Sequence, residues 1–162
     1  MRVLLAIDGS PFSQAAVTDV AERPWPGGTA IEVLTVIHSA VPMAIDPALA
    51  LAAIHVEQTA AQRQIASALV ATAAGQIERS APDLTVTTRI LEGTPKDVIV
   101  EEAAAWAATL IVLGSHGHGR FRRMMLGSVA GAVVANAPCS VQVVRATHLL
   151  HETESAAQHV GM

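Results

Sequence analysis

Apolar positions along this chain fall into two spacings. Short, largely apolar runs occur at Val3 to Ile7 (VLLAI), Ile31 to Ile37 (IEVLTVI), Leu110 to Leu113 (LIVL) and Ser140 to Val144 (SVQVV). Runs of this length and make-up read as buried parallel strands. Leu84 to Leu91 (LTVTTRIL) is rich in β-branched residues and reads as another strand. Helix signals lie between them. Ser10 is placed to cap a helix with Pro11 at its first position, and Pro24, Pro26, Gly27 and Gly28 stop that helix after Glu22. Asp46-Pro47 opens an alanine-rich stretch expected to be helical to Gly75, roughly 40 Å if unbroken. Glu92-Gly93 reads as a turn. Thr94 is the expected cap of a helix from Pro95 to Ala108, and a further helix spans Ser128 to Asn136 before Ala137-Pro138. Strand and helix alternate throughout, which predicts an α/β fold with a parallel sheet covered on both faces. Ligands of such sheets bind beyond the carboxyl ends of the strands, where strand order reverses.

Composition narrows the function. The chain has 162 residues, 51% hydrophobic and 15% charged, as expected of one globular domain. No apolar run approaches the ~20 residues of a membrane span, and the N-terminus does not read as a secretory signal. A net charge of −4 and only four aromatic residues, Phe12, Trp25, Trp106 and Phe121, argue against nucleic-acid binding. The lone Cys139 excludes an internal disulfide and suits a reducing cytoplasm. Any nucleotide base must then be held by aliphatic walls and backbone hydrogen bonds.

The chemistry concentrates in Gly114-Ser115-His116-Gly117, nine further residues, then Gly127-Ser128. This segment leaves a strand and enters a helix, whose free N–H groups and dipole attract anions. Gly127 is expected to let a phosphate reach the backbone, and Ser128 to add a hydroxyl donor and a cap. Gly114 and Gly117 are expected to form a tight turn facing it across a cleft. A Walker loop requires a lysine after its last glycine, and Lys96 is the only lysine in the chain. The dinucleotide fingerprint is missing after the first strand.

The pattern G-x2-G-x9-G-[ST], filled by Gly114, Gly117, Gly127 and Ser128, resembles the nucleotide signature of the universal stress protein family. LIVLGSHG before the loop, LGSVA and NAPCSVQVVR after it, and the opening VLLAIDGSPFS are similar to that family too. The resemblance covers residues 1 to 145 and leaves 146 to 162 as a C-terminal tail. It implies a Rossmann-like five-stranded parallel sheet in the order 3-2-1-4-5. It implies ATP, with Mg2+ or Mn2+, as the bound nucleotide. By position, Ala6 and Asp8 lie near the base and Val36 meets it through its backbone. Leu113 and Gly114 flank the ribose, while Gly117, Gly127, Ser128 and Val129 hold the phosphates, with His116 in the same loop. The last strand is an exposed apolar edge, and family members commonly dimerise through it. That places Val141 and Val143 at a homodimer interface.

Other residues stay open. Asp8 is either a turn residue or a ligand group, and its place at a strand end favours the ligand role. Neither His116 nor His118 has a legible base–nucleophile partner. Arg120, Arg122 and Arg123 form either a solvated loop or a phosphate or partner contact. Cys139 reads as a partly buried, inert thiol and Trp106 as packing, and His148, His151 and His159 suggest no specific site. Thr109 stands where the family often has Asp. The leading function is a cytoplasmic, nucleotide-binding stress-response regulator acting through a partner protein. The alternatives are a slow ATPase or autophosphorylating enzyme, an AMP or cyclic AMP binder, and a chaperone-like dimer with no nucleotide.

Overall fold

The computed structural model describes residues 1–38, 50–118 and 126–146. The elements run β1 (Arg2–Ala6), α1 (Pro11–Glu22), β2 (Ala30–His38), α2 (Ala50–Ser80), β3 (Thr85–Gly93), α3 (Pro95–Ala105), β4 (Leu110–Gly114), α4 (Ser128–Asn136) and β5 (Ser140–Val144). The strands form one five-stranded sheet in the order β3-β2-β1-β4-β5, every pair parallel. Ala6 is in register with Leu34 on one side and Leu113 on the other, so three strands end together.

Alternating residues divide the core between the two faces. Val3, Leu5, Ile31, Val33 and Val112 pack against α1 and α2. Leu4, Ala6, Leu34, Ile111 and Leu113 pack against α3 and α4. Both faces of β1 and β4 are buried, which is why those strands are continuously apolar. β3 and β5 are the sheet edges. Val141 and Val143 on β5 are half-buried and pack on the α3–α4 face.

Several boundaries differ from the sequence reading. α2 runs through Gly75 to Ser80, because buried Val70, Ala73, Ala74 and Ile77 hold the helix on the sheet beyond the glycine. Glu92 and Gly93 are ladder residues opposite Ile37 and His38 rather than a turn. α3 ends at Ala105, not Ala108. Ala107 takes φ 54°, and the amide of Ala108 bonds the carbonyl of Ala103 at 2.8 Å while that of Ala107 bonds Ala104 at 3.2 Å. This is a Schellman cap with alanine where glycine is usual. Thr94 precedes α3 without a side-chain cap bond. Ser128 is the first residue of α4 and Gly127 its N-cap, so the cap carries no side chain. Ser10 does cap α1, its side chain accepting from the Ser13 amide at 3.2 Å. Asp46-Pro47, the Arg120 to Arg123 cluster and the tail histidines lie outside the described residues. No helix among the described residues is long and apolar enough to cross a membrane.

Candidate functional site

β1 stops where the sheet order turns, and the residue just beyond it is held. The Ile7 amide bonds the Leu34 carbonyl at 2.9 Å, and Thr35 Oγ1 donates to the Ile7 carbonyl at 2.8 Å. The chain then bends at Gly9, φ 79°, and Asp8 is lifted above the sheet. Asp8 Oδ1 accepts from the Ser10 amide at 2.9 Å, so the same carboxylate that faces the cleft also fixes the start of α1. His118 Nε2 donates to the Asp8 carbonyl at 2.8 Å, tying the β4 loop to the β1 turn. Ser10 Oγ also donates to the His116 carbonyl at 3.4 Å.

The two glycine turns touch directly. The Gly127 amide bonds the Ser115 carbonyl at 2.8 Å, and the Ser115 amide bonds Val144 at 2.8 Å. The site glycines are required for space. A Cβ on Gly114 would lie 2.6 Å from the Phe12 carbonyl carbon and 2.8 Å from the Ser13 nitrogen, so this glycine lets α1 close on β4. A Cβ on Gly127 would lie 3.1 Å from His116 Cα, so the room it saves is filled by the facing turn.

The cleft above is a cavity of about 400 Å³. Ala6, Asp8, Val36, Leu113, Gly114, His116, Gly117, Gly127, Ser128 and Val129 all line it. His118, weighed above without a role, lines it as well, and so do Ile7, Ser13, Leu34, Pro95, Ile99, Leu126 and Ala130, which the sequence did not single out for the site. Leu34 was within reach, since it shares a strand face with Val36. Pro95 and Ile99 come from α3, which no local pattern links to the motif.

Leu34, Val36, Leu113 and Ile99 give the cavity apolar walls, and the start of α4 lines it too. A helix leaves its first amides without internal partners, here those of Ser128, Val129 and Ala130. α1, which starts beside the same cleft, is closed by Ser10 and Asp8 and has proline at its first position. The open helix terminus is therefore α4. No Lys or Arg is found among the described lining residues, so Asp8, His116 and His118 are its chargeable groups. Among the described residues no group of three or more His, Cys, Asp or Glu could hold a metal ion. A divalent ion here would be carried largely by a ligand's own oxygens, which suits Mg2+.

Two residues singled out earlier have structural places. Thr109 Oγ1 donates to the Arg2 carbonyl at 2.9 Å and accepts from the Arg2 amide at 3.1 Å, clipping β4 to β1 far from the cavity. Cys139 is half-buried, and burial pushes its thiol pKa up.

The model of the universal stress protein family matches residues 1–145. A universal stress protein of Mycolicibacterium smegmatis is 33% identical over 145 residues, covering 90% of this chain. The chain spans 46% of that relative's length. Among solved structures, the universal stress protein UspA of Lactobacillus plantarum is 28% identical, with 90% of this chain and 97% of that chain covered and a TM-score of 0.72. A family protein of Arabidopsis thaliana with AMP bound is 20% identical, with 90% and 91% covered and a TM-score of 0.61.

Proposed function

This chain belongs to the universal stress protein family, and on that premise we propose that it is an ATP-binding regulatory protein working as a cytoplasmic homodimer with a partner protein. The observation that carries the reading is the polarity of one cavity. The apolar walls at Leu34, Val36 and Leu113 suit an adenine base, and the open amides of Ser128, Val129 and Ala130 at the start of α4 suit phosphates. Asp8, which lines the same cavity, is the acceptor for ribose hydroxyls in this reading. Mg2+ or Mn2+ entering with the nucleotide supplies the positive charge that the described lining residues lack. Ser128 Oγ and the adjoining amides orient the phosphates, and His116 and His118 border them. AMP is the second reading, supported by the Arabidopsis thaliana relative with AMP bound.

Ser128→Pro is the discriminating variant. Proline fits the first helical position but deletes one amide and the hydroxyl. Calorimetric titration of stripped protein with ATP and magnesium is expected to show binding weakened tenfold or more by the variant, with adenosine binding unchanged. No ATP heat from folded wild-type protein overturns the nucleotide reading. AMP binding more tightly than ATP replaces the first ligand with the second. For the dimer, sedimentation of wild type against Val141→Asp tests whether β5 continues the sheet into a second copy.

A further inference from the structure

Glu32 lies on β2 in the row that faces α3 and α4, on the same strand face as Leu34 and Val36, which wall the cavity. It is 5% exposed, and its Oε1 has no hydrogen-bond partner. On α3, Glu102 is 7% exposed, and its charge acts on Glu32. Glu102 Oε1 lies 3.3 Å from Nε of half-exposed Arg89 on β3. From β1 the neighbour in register is Leu4, and from β3 it is Thr87. Among the described residues, the charged groups acting on Glu32 are therefore Glu102 and Arg89.

A guanidinium can balance a single carboxylate. With both carboxyls ionised this dry spot holds an excess negative charge, which close carboxylates avoid by keeping a proton between them. Burial first, then the charge of Glu102, raises the pKa of Glu32 from 4.5, and Arg89 opposes them. A metal cation is the poorer occupant, because it would face the Arg89 guanidinium. The pair also bridges the two walls of the cavity. Ile99, one turn before Glu102 on α3, lines the cavity opposite Leu34 and Val36 of β2. Repulsion between Glu32 and Glu102 acts across that α3–β2 contact.

We propose that Glu32 and Glu102 form a one-proton site whose occupancy sets how closely α3 approaches β2, and with it the width of the cavity between those two elements. Nothing in this depends on the cavity's ligand being a nucleotide.

The experiment is a pH titration of the full chain without ligand, labelled with 13C at the Glu carboxyls and the Ile methyls. One Glu carboxyl is expected to titrate above the others, and its signal to vanish in Glu32→Gln. The Ile99 methyl should move with the same midpoint in wild type and stay flat in Glu32→Gln. Arg89→Met removes the opposing charge at a half-exposed position and should raise the midpoint further, which keeps the test alive if Glu32→Gln does not fold. All Glu carboxyls titrating together, an Ile99 methyl flat through the high midpoint, or a midpoint unmoved in Arg89→Met would each overturn the proposal.

Discussion

Asp8 Oδ2 lies 2.6 Å from where a Cβ on Gly117 would stand. The second motif glycine is thus the gap into which the carboxylate at the end of β1 fits. Gly117→Ala should push that carboxylate aside and weaken nucleotide binding about tenfold, while Asp8→Ala vacates the space. In a double-mutant cycle read by calorimetry, Gly117→Ala is expected to cost little further affinity once Asp8 is Ala. Additive losses would show that the two residues act separately.

Gly114 and Gly131 should respond oppositely to alanine. At Gly114 the methyl meets backbone of Phe12 and Ser13, so Gly114→Ala is expected to lose about 3 kcal/mol, the upper part of the range for overpacking. At Gly131, inside α4, a Cβ meets nothing within 4 Å, and Gly131→Ala should gain about 0.5–1 kcal/mol of helix propensity. Urea unfolding of the two variants checks both signs.

Ala107 carries the left-handed conformation of the α3 cap at φ 54°. Ala107→Gly relieves a cost of about 1 kcal/mol, partly offset by a freer unfolded chain. A higher urea midpoint with an unchanged slope is expected. A lower midpoint would mean that the alanine methyl contributes packing greater than the strain.

Stability should fall as pH rises above the ordinary glutamate range. Folding favours the protonated form of Glu32, so its contribution is fully present below pH 4.5, the unfolded value, and is lost as pH rises through the raised folded value. Urea midpoints measured at several pH values should decline over that window in wild type and decline less in Glu32→Gln. Parallel curves would show that other groups govern the trend.

The order of strands and helices was legible because burial on both faces makes β1 and β4 continuously apolar and because proline, glycine and Ser10 punctuate the helices. The motif residues were legible for a local reason. They bracket one loop, and a loop between a strand and a helix has its own spacing. Boundaries failed where distant packing decides, as at Gly75, which the buried stripe of α2 carries through. What packs around each glycine was not legible either. Gly114, Gly117 and Gly127 are defined by the atoms their missing Cβ would strike, in Phe12, Asp8 and His116, and such approaches depend on how α1 and the facing turn settle on the sheet. The same holds for Glu32, Arg89 and Glu102. Each reads alone as a surface charge, and only the register of β2 with β3 and the seating of α3 bring them together out of water.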